Sequence, residues 1–200
     1  MRPCGNRCPA PASLLAVAAL AFAAACTPPP PPAPHALDLR GGFRDVRFGQ
    51  APNQIPGLDL NKPISRDPAS PDHLVCKRTN DDLRIRDLTL KEIRYAFFRN
   101  QLTEINLLWE PRSGNDPATQ PAMYHFLTNE FGAASSEGRD AARNEFRAVW
   151  EGAAVRLTLV ESPPQDRIAG RGLATFVSKP LAAQRDAASA KSAGQRRYGF

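Results

Sequence analysis

The chain has 200 residues, 42% hydrophobic and 23% charged, with a formal net charge of +6, twenty prolines and four cysteines. Cysteine is too sparse for a disulfide-dense scaffold, and the apolar fraction is too high for a wholly disordered chain. The excess charge sits at the ends: Arg2 and Arg7 near the start, and Arg185, Lys191, Arg196 and Arg197 against Asp186 near the finish, which leaves 26–180 almost neutral. Nucleic-acid binding needs a clustered basic face on the folded body, and this body interleaves its charges, so no nucleic-acid partner is expected.

Arg2 and Arg7 precede an apolar run from Ala12 to Ala25, closed by Ala23-Ala24-Ala25-Cys26. The run is about fourteen residues, too short to cross a bilayer as a helix, which takes roughly twenty. Its basic start, apolar middle and small-residue end read as an export signal over residues 1–25. The Ala-Ala-Ala-Cys junction resembles the lipobox of bacterial lipoproteins. That resemblance implies that Cys26 is the lipidated first residue of the mature chain. It also implies, because Thr27 rather than Asp follows, sorting to the inner leaflet of the outer membrane, facing the periplasm. Ala23 stands where lipoboxes usually carry Leu, and the Ala23-x-Ala25 pattern also suits the ordinary signal peptidase, which would release a soluble periplasmic protein. An acyl chain contributes ~0.8 kcal/mol per buried methylene, and two chains anchor firmly where one binds only marginally.

Residues 26–36 form a tether. Pro28 to Pro32 in succession, and Pro34, favour an extended polyproline II segment at ~3.1 Å per residue. Cys4 and Cys8 leave with the signal. The mature chain keeps Cys26 and Cys76, so with Cys26 acylated no internal disulfide can form and the domain, residues 37–180, must hold by its own core.

Phe43 to Gly49 predicts a first short strand, 50–72 an irregular connection rich in Pro, Asn and Asp, and 74–78 a second strand followed by a turn at Asn80-Asp81-Asp82. The strongest signal follows. Ile93, Tyr95 and Phe97 alternate on one arm and Ile105, Leu107 and Trp109 on the other, with Arg99-Asn100-Gln101 between them, which predicts a β-hairpin with one buried face. A helix is expected from about Thr119, with Met123, Phe126, Leu127 and Phe131 on one stripe and Gly132 as its C-terminal stop. A polar loop over 133–144 leads to a second hairpin, 145–150 with 154–161, and a last strand covers 173–178. The expected fold class is α+β: an antiparallel sheet of about six to seven strands packed in two layers on one central helix. Residues 181–200 read as a disordered basic tail.

The chemistry is sparse. The sequence carries none of the phosphate-loop, dinucleotide, zinc-protease or serine-hydrolase motifs. His35 lies in the tether, His73 opens a strand and His125 has only Pro121 and Asn129 one helical turn away, so neither metal nor cofactor is expected. Cys76 reads as a core cysteine, with Arg78 as the cation sharing its strand face; the alternative is a thiol-redox role. Phe97 and Phe98 are adjacent, so in a regular strand they face opposite ways. One of them then lies away from the core unless a bulge intervenes. Phe98, with Leu108 on the facing arm, reads first as a second small packing layer, with a binding surface as the alternative. The aromatics Tyr95, Phe97, Phe98, Trp109 and Trp150 also admit a hydrophobic groove for lipid or peptide.

Phe43, Phe48, Gly49, Tyr95, Phe97, Phe131, Gly132 and Trp150 give the body a likeness to small uncharacterised bacterial envelope α+β domains. All eight are packing or turn residues, so the resemblance implies a fold and no activity. The expected function is that of a non-enzymatic envelope lipoprotein, membrane-bound through Cys26, that binds or adapts an envelope protein or peptidoglycan. The alternatives are a redox partner using Cys76 and a lipid or peptide carrier.

Overall fold

The computed structural model describes residues 35–66, 72–110, 122–162 and 171–198, and for 191–198 the backbone alone. The signal segment, Cys26 and most of the tether lie outside the described residues. In chain order the elements are α1 (Ala36–Arg40), β1 (Gly42–Phe43), β2 (Val46–Arg47), a 3-10 turn at Pro52–Gln54, β3 (Ser65–Arg66), β4 (His73–Cys76), β5 (Arg84–Ile85), β6 (Leu88–Thr89), β7 (Glu92–Phe98), β8 (Gln101–Trp109), α2 (Ala122–Phe131), β9 (Ser136–Asp140), β10 (Glu145–Glu151), β11 (Val155–Ser162), β12 (Arg171–Ser178) and α3 (Lys179–Tyr198).

Eight strands form one antiparallel sheet in the order β3-β4-β7-β8-β12-β11-β10-β9. The chain enters the sheet near one edge, builds β7 and β8, passes through α2 to the far edge at β9, and returns strand by strand until β12 closes against β8. Alternation fixes which face is buried, because cross-strand partners share a face. Ile93 faces Leu107, Tyr95 faces Ile105, Ile105 faces Phe176 and Phe176 faces Leu157. All of these are buried on what we call the inner face. Met123, Leu127 and Phe131 of α2 close this core, with the Phe131 ring 5.9 Å from that of Phe176. Fully burying such a side chain contributes roughly 1.5–3 kcal/mol.

Two hydrogen-bonded ties fix the layers. The Trp150 indole N–H donates to the carbonyl of Gly132 at 2.8 Å, joining β10 to the end of α2. Gly132 has φ +84°, the left-handed conformation that suits glycine at a helix stop. At the other end of the core, Asp38 of α1 accepts from the N–H groups of Ala153, Ala154 and Val155 at 2.6–2.9 Å, so α1 is pinned to the β10–β11 turn. Burial pushes the Asp38 carboxyl up, but the three backbone donors outweigh it and the net shift is down.

The α+β class and the antiparallel sheet hold, and several expectations need correction. Three helices are present among the described residues rather than one. The His35 imidazole, expected to be part of the tether, accepts from the Leu37 N–H and caps α1. Residues 179–198, expected to begin a disordered tail beyond Pro180, are helical: the Ala-rich sequence favours helix, and its first turns bury Ala182 on the outer face of the sheet. Within the expected loop 133–144 lies β9, whose five residues are all exposed. An edge strand covered on neither face has no need of apolar alternation. Ahead of the first hairpin arm, β6 pairs with β5 in a separate two-stranded ribbon before β7 begins at Glu92.

Candidate functional site

The outer face of the sheet can be read as three rows of cross-strand neighbours running over β7, β8, β12, β11 and β10. The first is Glu92–Leu108–Leu173–Val160–Arg147, the second Arg94–Asn106–Thr175–Thr158–Val149, and the third Ala96–Glu104–Val177–Arg156–Glu151. Helix α3 occupies the third row. Its Arg185 reaches Glu104 at 3.3 Å and its Lys179 reaches Glu151 at 2.8 Å. Bonds from Arg156 and then Lys179 hold the Glu151 carboxyl down at about 2. The second row is a polar ladder, in which the Thr175 hydroxyl donates to Asn106 Oδ1 at 2.8 Å and the Asn106 amide donates to Glu104 at 2.7 Å. The first row is aliphatic in its middle. Leu108, Leu173 and Val160 are each partly exposed, with Glu92 at one end and Arg147 at the other. With strands ~4.8 Å apart, the three side chains form a stripe about 10 Å long.

The expected pair Phe98 and Leu108 does not come together. Phe98 lies opposite Gln101 near the turn of the β7–β8 hairpin, whereas Leu108 lies opposite Glu92 at its open end. At ~3.3 Å per residue they stand roughly 20 Å apart. Phe98 does face away from Phe97, but it is only 6% exposed. The Arg99 guanidinium sits over its ring at 5.1 Å and is itself paired with Asp72 at 3.0 Å. Leu108 instead joins Leu173 and Val160, neighbours that only the β8–β12 and β11–β12 pairings bring to it. Cys26 lies outside the described residues.

Cys76 is fully buried, opposite Tyr95 on the inner face. Arg78, the cation expected to favour a thiolate, is committed elsewhere. It bonds Asp45 at 3.0 Å, the Pro56 carbonyl at 2.9 Å and Asp81 at 3.5 Å. His125 is exposed and His73 partly buried. No group of three metal-ligating side chains occurs among the described residues.

Two buried polar clusters escape sequence reading. In the first, the Tyr95 hydroxyl donates to Asp81 at 2.9 Å beside Arg78. Burial raises the Asp81 carboxyl against the opposing pull of Tyr95 and Arg78, and burial with the Asp81 charge raises the Tyr95 hydroxyl. The Asn80-Asp81-Asp82 turn and the alternation at Tyr95 were both visible, but the loop closure that joins them was not. In the second, Glu161 on β11 points to the inner face, 5% exposed. Burial pushes its carboxyl up to about 7, moderated by the Trp109 indole N–H and the Arg139 charge, and its Oε1 atom has no partner among the described residues. The Trp109 ring lies against Gly172, where an added Cβ would fall 2.1 Å from Cε2. The first cluster ties loops to the sheet and the second packs a strand end.

A charged depression of about 560 Å³ opens at the sheet edge, lined by Ser136 to Asp140 with Arg143, Glu145 and Arg147. It abuts the Arg147 end of the aliphatic stripe. No protein-family model matches this chain, and neither a curated protein nor a solved structure shows significant similarity to it.

Proposed function

We propose that this chain is an envelope lipoprotein, anchored through Cys26 and held off the membrane by its Pro-rich tether, whose α+β domain is a non-enzymatic binding module for another envelope protein in the periplasm. The anchor rests on the sequence: a basic start, a short apolar run, Ala23-Ala24-Ala25-Cys26 and a run of prolines. The resemblance to lipoproteins with a residue other than Asp after the cysteine favours the inner leaflet of the outer membrane. No described helix is long and apolar enough to cross a membrane.

The observation that carries the binding role is the stripe Leu108–Leu173–Val160. Three aliphatic side chains stay partly exposed on a sheet face whose third row meets Lys179 and Arg185 of α3, and opposite charges bracket them. Interfaces of this kind combine an apolar centre with a polar rim. Complete burial of Cys76 speaks against the redox alternative, and the side chains filling the inner face speak against a carrier cavity there.

Affinity capture of the native chain from solubilised envelopes, compared with Leu173→Asp, tests the role. A partner retained by the native chain and lost by the variant supports it, whereas an identical set of retained proteins refutes it. Metabolic labelling with an alkyne fatty acid tests the anchor separately: labelling must disappear in Cys26→Ser.

A further inference from the structure

The eight-stranded sheet ends on β9, and all five of its residues, Ser136 to Asp140, are exposed. An exposed edge strand is a template for another strand. Natural edges are commonly guarded by charge, and a guard of one sign repels a second copy. This edge has a different pattern. Glu137 and Arg139 flank Gly138, and an antiparallel copy related by a two-fold axis through Gly138 places each Glu137 beside the other copy's Arg139. It also sets Ser136 beside Asp140. The sequence is its own complement in that register and in no neighbouring one, because a shift by two residues brings Arg139 onto Arg139 or Glu137 onto Glu137.

The local structure prepares both charges. Glu137 accepts from the Tyr124 hydroxyl of α2, and Arg139 donates to Asn144 Oδ1 at 3.3 Å, so each side chain is held by the body that carries it. Both lie on the face of β9 shared with Phe146 and Ala148. Among the described residues, nothing beyond Gly138's own chain neighbours lies within 4 Å of where a Cβ would be. At the two-fold axis Gly138 meets Gly138 of the copy, where paired Cα atoms stand ~4.5–5.5 Å apart.

From this self-complementary edge we infer that β9 pairs with β9 of a second copy, forming an isologous dimer with one sheet continuous across both chains. The dimer leaves the Leu108–Leu173–Val160 stripe of each copy uncovered, so it stands independently of the binding role proposed above.

The test places one cysteine on the axis. Cα separations of ~4.4–6.8 Å admit a disulfide, so Gly138→Cys in the full chain, oxidised in intact envelopes, is expected to give a covalent dimer. The unsubstituted chain and a Ser189→Cys control on exposed α3 are expected to give none. In the Gly138→Cys background Arg139→Glu sets like charges opposite one another at both symmetric positions. It is expected to lower the cross-linked fraction by about tenfold or more. The double exchange Glu137→Arg with Arg139→Glu restores complementarity and is expected to restore cross-linking. Circular dichroism of each purified variant establishes that it is folded. Absence of a Gly138→Cys dimer in folded protein overturns the inference. So does a dimer indifferent to Arg139→Glu, or a disulfide formed with a different protein in its place.

Discussion

Exchanging Glu161 for Gln isolates the energetic consequence of burying a carboxyl one of whose oxygens has no partner among the described residues. In the folded chain burial raises this group from its ordinary 4.5 to about 7. The unfolded chain releases its proton near the ordinary value. Between the two, the fold binds more protons than the unfolded chain, so stability falls as pH rises from about 4.5 to about 7 and then levels. At ~1.4 kcal/mol per pKa unit, the full loss is about 3 kcal/mol. The Gln variant has no proton to release there. Its amide N–H groups also need partners, at a cost of about 1–3 kcal/mol, but that cost is the same at every pH. The informative quantity is therefore the change with pH. Urea unfolding followed by Trp fluorescence at pH 4.5 and pH 8 should show the variant gaining about 3 kcal/mol on the parent between the two. A gain below about 1 kcal/mol would refute the reasoning, because it would mean that Glu161 is solvated or partnered in the fold.

Gly172→Ala pushes a methyl group into the Trp109 ring, and overpacking of this kind costs about 1–3 kcal/mol or more, readable as a lower urea midpoint with altered Trp fluorescence. Asp38→Ala releases three backbone N–H groups and should cost about 1.5–3 kcal/mol at neutral pH. Because the Asp38 carboxyl is held below 3.8, its contribution is present above that value and is lost as pH falls through the lowered one, so the difference between parent and variant should shrink in acid. Cys76 is fully buried, and its alkylation in the native chain should proceed only as fast as unfolding, with rapid labelling in urea; fast native labelling would revive the redox reading.

The elements legible in the sequence were those whose side chains meet a core. The period of two in β7 and β8, the spacing of three and four in α2 and the alternation of Val155, Leu157 and Leu159 in β11 all express one buried face. Elements with little to bury were illegible. β9 reads Ser-Glu-Gly-Arg-Asp, which is indistinguishable from a loop until β10 supplies its partner. Of its described side chains, α3 buries Ala182 and half-buries Arg185, too little to imprint a pattern on a polar, Ala-rich segment. The candidate surface was half visible for the same reason. Alternation placed Leu108 away from the core, but joining it to Leu173 and Val160 requires the pairing of β8 with β12, whose partners lie more than sixty positions apart in the chain. Phe98 was placed on the correct face, yet the turn that brings Arg99 over its ring was not foreseen.

Site-specific photo-cross-linking from position 173 in intact envelopes probes the proposed binding role most directly. The account predicts one discrete adduct at this position, absent from a probe at exposed Ala187 of α3, and diminished when Cys26→Ser frees the domain from the membrane. Equal, diffuse labelling from both positions, or no adduct from position 173, would contradict it.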